Sequence, residues 1–273
     1  MIKSHVYLAK SILNRFSHKD KDKRNLIYYY NFDTNKINET TTASFNRVNG
    51  YYTDTNESIL KRFSEEKIGN VINFLEKKDS IEEYDFKLPD KMKKIIKQYV
   101  AFQLIRNDSM MQIVKESMKN LNYNAPYISK NERQKRLGII ERYKKIDLKT
   151  LKNDFIEYEP SMKMFTKSVD SLGIIILFNK TNRNFVLISS TSALNPYSIG
   201  YFTMNITLTP RICITLCNKD KMKKALGISE DVFISKVVNE EFVLNYNKDL
   251  YQVAKNNKPN MLVGFEKELK EII

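Results

Sequence analysis

Three side chains in this sequence have the chemistry to move a proton or neutralise a phosphate: His5, Glu66 and Arg106. His5 is one of 2 histidines, and an imidazole that titrates near neutrality can serve as base, acid or ligand. Glu65 and Glu66 stand together in Phe63-Ser64-Glu65-Glu66-Lys67-Ile68, on a stretch otherwise patterned for burial. A carboxylate buried there needs a cation and hydrogen bonds, and Arg106 is the natural counter-charge. Gln103 and Arg106 are three apart, which puts both on one helical face, and the guanidinium is a planar fork for phosphate or carboxylate. An imidazole deprotonating a ribose 2′-hydroxyl, beside a guanidinium countering charge on phosphorus, would cleave RNA without a metal. The same residues also read structurally. A lone histidine caps helices or bonds carbonyls, and Arg106 with a glutamate makes an internal salt bridge.

Other chemistries find no footing. There is no phosphate-binding glycine loop, no dinucleotide fingerprint, no His-Glu-x-x-His and no serine elbow, so no cofactor is expected. The 2 cysteines, Cys213 and Cys217, fall four apart in a strand-like run. Strand rise separates them by roughly 13 Å, too far for a disulfide. With no further thiol and no nearby histidine, no metal site is expected either.

The net charge of +14 and pI near 9.5 suit phosphate-bearing or otherwise acidic partners. The joint abundance of Lys, Asn, Ile and Tyr is also the mark of an AT-rich genome, which supplies lysine without selection for binding. Residues 1 to 160 carry +9 and residues 161 to 273 carry +5, placing a phosphate-facing surface on the first half. A helix over Ser129 to Ile146 is densely basic, and Gln103, Arg133, Arg136, Arg142, Lys144 and Lys145 are the candidate nucleic-acid contacts. A solvated charged face is the alternative, because Glu132 and Glu141 dilute the field.

The elements that must position these residues follow from periodicity. Residues 5 to 16 carry Tyr7, Leu8, Ile12 and Phe16 at roughly helical spacing, His18 to Arg24 reads as a turn, and Leu26 to Phe32 reads as a strand. Tyr28 to Tyr30 alternate faces, so at least one ring points away from the core. Asn38 to Asp54 looks like loop. Ile59, Leu60, Phe63, Ile68, Val71, Ile72 and Leu75 form one helical stripe, and Pro89-Asp90 opens a second helix that runs on toward Met118. Leu172 to Phe178 and Asn184 to Ser190 read as a hairpin, followed by strands over Tyr201 to Leu208 and Arg211 to Leu216. Helices return over Lys219 to Leu226 and Asp231 to Val253, and Met261 to Ile273 closes on an amphipathic tail. The expected class is α+β, mainly helical with a small antiparallel sheet in the second half. It forms a single domain over 1–273, with a helical part over about 1–160 and a strand-containing part over about 161–273. The longest apolar run, Leu172 to Phe178, is too short to span a bilayer, and no leader pattern opens the chain. No membrane association and a cytoplasmic location are expected.

Taken in order, several pieces resemble the bacterial family catalogued as domain of unknown function 4238. His5 opens a Ser4 to Phe16 stretch like the family's histidine followed by apolar residues ending in phenylalanine. Glu65 and Glu66 precede the small Gly69 as the family's glutamate precedes a small residue. Gln103-Leu104-Ile105-Arg106 matches its glutamine and arginine, although Asn107-Asp108 replaces the frequent threonine-proline. Ser190 to Pro196 falls where relatives have serine-aspartate-x-proline, but no aspartate occupies it here and Asn195 stands before Pro196. The resemblance implies an architecture and a mobile, patchy distribution rather than an established reaction. The leading expectation is a basic cytoplasmic effector acting on nucleic acid, RNA or DNA, as a metal-independent nuclease or toxin in phage defence or phage–host conflict. The alternative is a non-enzymatic module or inhibitor binding nucleic acid or a protein partner, with tyrosines such as Tyr28 to Tyr30, Tyr51 and Tyr52 stacking on unpaired bases.

Overall fold

The computed structural model describes residues 3–6, 8–119, 129, 131, 134, 137–138, 141–142, 145–157, 166–189, 193–195, 203–256 and 261–273, with residues 3–5, 63–64, 118–119, 193–195 and 203 described by their backbone alone. The class is α+β, and strands run through the first half as well as the second. Strand β1 (Lys3–His5) pairs antiparallel with β5 (Arg47–Asn49), with His5 opposite Arg47. A short helix α1 (Lys10–Leu13) and a 3-10 turn over Asn14–Phe16 replace the longer helix that the spacing of Leu8, Ile12 and Phe16 suggested. These three side chains are nonetheless buried.

Next come β2 (His18–Lys19), β3 (Asn25–Asn31) and β4 (Lys36–Thr41). The expected loop after Asn38 therefore begins as a strand. Lys36-Ile37-Asn38-Glu39 is largely polar because, among the described residues, β4 pairs only with β3 and is open to solvent along much of its length. The helical stripe forms α2 (Asp54–Leu60), a π turn over Lys61–Glu65, and α3 (Glu66–Ser80). Thr53 caps α2 by accepting the Asn56 N–H at 3.2 Å. Pro89 stands at the N-cap of α4 (Asp90–Arg106). The run toward Met118 is interrupted: Asn107 leaves the helical conformation and accepts the Met110 N–H at 2.8 Å, starting α5 (Asp108–Lys119). Helix α6 (Leu148–Glu157) returns beneath the end of α4.

The second half is built on β6 (Leu172–Asn179), which is buried along most of its length. Asn184 to Ser190 does not fold back onto it. Both sides of β6 are taken, by β10 (Ile212–Asn218) antiparallel and by β11 (Val232–Val237) parallel, so only Leu187–Ile188 forms a strand, β7, and it pairs elsewhere. Strands β8 (Ala193–Asn195) and β9 (Thr203–Thr209) complete a sheet in the order β11-β6-β10-β9-β8. Val232 to Val237 was expected to be helical. Its β-branched and aromatic alternation fits a pleated surface better than a helix, and the real helices flank it as α7 (Lys219–Leu226) and α8 (Glu240–Asn256). Strand β12 (Met261–Gly264) and helix α9 (Glu266–Ile272) end the chain. Because β12 pairs with β3 on one side and β7 on the other, the first and second halves share a sheet, ordered β2-β3-β12-β7 with β4 beside β3. Among the described residues, no helix is long and apolar enough to cross a membrane.

The loop before β7 is held by side chains from both closing helices. Buried Asn247 on α8 accepts the Val186 N–H at 3.0 Å and donates to the Asn184 carbonyl at 2.8 Å. Glu268 on α9 accepts from the Asn184 backbone N–H at 3.1 Å. Asn247→Ala leaves a buried donor and acceptor unmatched, which costs about 1–3 kcal/mol. Urea unfolding should show a lower midpoint at unchanged slope; an unaltered midpoint would mean the loop is held by packing alone.

Candidate functional site

Arg106 is the last residue of α4 and only 1% exposed. An isolated charge at such depth costs several kcal/mol unless it is paired and hydrogen-bonded. Its Nη1 donates to Glu65 Oε1 at 3.0 Å and its Nε to the Val6 carbonyl at 3.2 Å. The Tyr52 ring lies 5.8 Å from the guanidinium carbon, and the Tyr52 hydroxyl donates to the same Val6 carbonyl at 2.8 Å. Burial opposes the charge on Arg106, but Tyr52 and Glu65 more than offset it and hold the guanidinium above its ordinary value.

The partner is Glu65, whereas the exposed Glu66 lies outside this contact. Along the α2–α3 stretch Asn56, Leu60, Ile68, Ile72 and Leu75 are buried, and the partly exposed Glu65, five residues after Leu60, is the carboxylate that reaches Arg106. The five-residue step is the π turn. It rotates the inward face by one residue relative to uninterrupted α-helical spacing, so Glu65 turns in and Glu66 turns out. His5 enters through the backbone of β1, one residue before the carbonyl that Arg106 and Tyr52 grip; its side chain lies outside the described residues. Gln103 is buried one turn before Arg106.

A second buried cation, which the sequence reading did not single out, completes the junction. Lys152 on α6 is 0% exposed and donates to the Arg106 carbonyl at 2.7 Å, to the Asp108 carboxylate and to the Tyr51 hydroxyl at 3.2 Å. The Arg106 carbonyl is one of those a helix end leaves unmatched, and an ammonium there also opposes the negative end of the helix dipole. Burial lowers the Lys152 pKa, Asp108 pulls it back, and Arg106 lowers it further. The signal in the sequence was weak, a single lysine among the apolar positions Leu151, Phe155 and Ile156.

The tyrosines named as base-stacking candidates are engaged internally. Tyr51 and Tyr52 pack edge to face at 5.0 Å, Tyr28 stacks on His18 at 4.9 Å, Tyr29 meets Phe45 at 5.2 Å, and Tyr30 is buried beside Phe32. Burial raises the hydroxyl pKa of Tyr51, Tyr52 and Tyr99 far above the usual phenol value.

Of the expected basic contacts, Arg142 is exposed and bonded to Asp154 at 3.1 Å, and Lys145 is exposed. Arg133, Arg136 and Lys144 lie outside the described residues, as do Ser190 to Ser192 and Pro196. The Asn195 backbone sits in β8 opposite Thr203. A different basic surface gathers lysines of the first half of α4 and of α7 around Asp170 and Asp231. Lys97 donates to the Asp170 carbonyl, and Lys219 and Lys223 hold Asp231 at 2.5 and 3.0 Å. Burial, reinforced by Lys219 and Lys93, holds the Lys97 ammonium below the usual lysine value against Asp170 and Asp231. Around this core Lys87, Lys91, Lys94 and Lys224 are exposed and have no ion-pair partner among the described residues. The spacing of Lys91, Lys94 and Lys97 after Pro89 carried this signal, but the apolar stripe of the same helix overshadowed it.

A groove of about 580 Å³ opens elsewhere, between Arg15, Glu76 and Asp79 on one wall and Arg211 and Phe265 on the other. None of His5, Glu66, Gln103 or Arg106 lines it. Cys213 and Cys217 are free and buried, and burial pushes the Cys213 thiol up to about 12. Among the described residues, no group of three or more His, Cys, Asp or Glu side chains is placed to hold a metal ion. Comparison of the chain with protein-family models, with curated proteins and with solved structures gives no match.

The two glutamates separate the roles. Removing one partner of a buried ion pair costs about 3–5 kcal/mol, so Arg106→Ala should be severely destabilised in chemical denaturation. Exposed Glu66→Ala should stay within about 0.5 kcal/mol of wild type. The reverse ranking would move the inward carboxylate back to Glu66.

Proposed function

We propose that this is a cytoplasmic nucleic-acid-directed protein that grips the phosphate backbone with Lys87 and the lysines of α4 and α7. One observation carries the reading: Lys87, Lys91, Lys94 and Lys224 stand exposed, with no ion-pair partner among the described residues, around a core where Lys93, Lys97, Lys219 and Lys223 are already bonded to Asp90, the Asp170 carbonyl and Asp231. Lysines without a protein partner keep counterions that a polyanion displaces, and that release drives backbone binding. Arg106 has no part in this, because its guanidinium is spent on Glu65 and Val6. The tyrosines are likewise packed against the protein's own rings and cations.

Cleavage of RNA, as a nuclease or toxin of phage conflict, is the second reading. What favours it is the double grip on the Val6 carbonyl, which fixes the strand root of His5. The family resemblance through His5 and Gln103 to Arg106 belongs to this reading as well.

Fluorescence anisotropy with labelled single-stranded RNA and DNA tests the first reading. Wild type should bind with an affinity that falls steeply as salt rises, and Lys87→Glu/Lys91→Glu/Lys94→Glu should bind more weakly. Each lost phosphate contact flattens the log–log salt slope by about 0.7. An unchanged slope in the triple variant, or no binding by wild type, overturns it. Incubating RNA with wild type beside His5→Ala tests the second reading, and equal cleavage by both removes His5 from any mechanism.

A further inference from the structure

The groove of about 580 Å³ lies where the two halves of the chain meet, and its volume is within the ~300–1,000 Å³ range of small-molecule sites. The 3-10 turn after α1 and the end of α3 form one wall, with Arg15, Glu76 and Asp79. The turn between β9 and β10 and the residue before α9 form the other, with Arg211 and Phe265. None of Lys87, Lys91, Lys94 and Lys224 lines it.

Arg211 is fixed by four contacts that leave one edge of its guanidinium over. Its backbone N–H donates to Thr209 Oγ1 at 3.1 Å, its carbonyl accepts the Asn179 N–H at 2.8 Å, and its Nη1 donates to the carbonyls of Thr181 and Arg183. No carboxylate pairs with it among the described residues, where Nε and Nη2 also have no partner. That Nε–Nη2 edge is a fork that takes a carboxylate through two parallel bonds. The opposite wall has the reverse need. Glu76 meets Arg15 at 2.7 Å, but the same guanidinium is shared with Asn73 at 2.6 Å. Burial raises the Glu76 carboxyl above its ordinary value, Arg15 opposes this, and Asp79 adds to it, so one arginine does not fully offset the charge. Asp79 itself is met at Oδ1 by Lys180 at 3.0 Å and by the Tyr84 hydroxyl at 2.9 Å.

This lining selects the charge of an occupant. A polyanion would face two carboxylates and a simple cation two guanidiniums, and like charges brought together cost several kcal/mol. A molecule with one charge of each sign at opposite ends meets neither penalty. Pro210 and Phe265, both half-buried, add apolar surface between the charged groups. A cavity of about 150 Å³ already encloses a benzene-sized molecule, so this groove has room for more than one amino-acid residue.

We propose that the groove binds a short apolar peptide by its two free ends, the carboxylate on Arg211 and the ammonium on Glu76. Isothermal titration calorimetry with alanyl-phenylalanine and leucyl-leucine, each beside its N-acetylated and C-amidated forms, tests it. At least one free dipeptide should bind wild type, and capping either end should weaken binding about tenfold or more. Arg211→Gln should erase the difference between free and amidated forms, and Glu76→Gln the difference between free and acetylated forms. Each variant should keep its discrimination at the other end, which an unfolded chain cannot do. No binding by either dipeptide, capped forms that bind as well as free ones, or variants that lose both discriminations together overturn the proposal. Free leucine binding as tightly as leucyl-leucine also overturns it, because a single residue would then fill the site.

Discussion

A guanidinium without access to water sets the terms for the centre of this fold. Arg106 ends α4 beneath the chain's first strand, and its charge is tolerable there only because Glu65, the Val6 carbonyl and the face of Tyr52 surround it. Each partner comes from a different element: the π turn, the residue after β1, and the segment leading into α2. Lys152 repeats the logic one layer away, using the Arg106 carbonyl and Asp108 to support an ammonium brought in by α6. Removing either cation would strand acceptors already withdrawn from solvent. The junction thus ties five separate pieces of sequence together by electrostatics as well as by apolar burial.

Among the described residues, this constraint sets two groups of positive charges apart. Arg106 and Lys152 are committed inside. The lysines along α4 and α7 lie outside, some locked to Asp231, Asp90 and the Asp170 carbonyl and others facing water. Only the outer group has the hydration and freedom that contact with a polyanion requires.

Much of the fold was legible because helices and buried strands announce themselves locally. Ile68, Val71, Ile72 and Leu75 marked α3, Pro89 marked the start of α4, and the apolar run from Leu172 marked β6. Pairing was not legible, since Leu187 and Ile188 had to lose β6 to β10 and β11 before joining β12, a competition settled far away in sequence. Val232 to Val237 was absorbed into the periodicity of the helix that follows it. The sequence offers two adjacent glutamates in the α2–α3 stretch as counter-charges to Arg106, and the residue in contact is Glu65. The choice between Glu65 and Glu66 hung on a single five-residue step, because α-helical spacing has no means of showing a π turn.

The central claim is that Arg106 is a sealed internal anchor while nucleic acid meets the surface lysines. Nuclear magnetic resonance of the arginine Nε–H groups, with and without a single-stranded oligonucleotide, tests it most directly. The account predicts an Arg106 Nε–H signal protected from solvent exchange and unmoved by the oligonucleotide. Rapid exchange in the free protein, or a shift of that signal on titration, would contradict it.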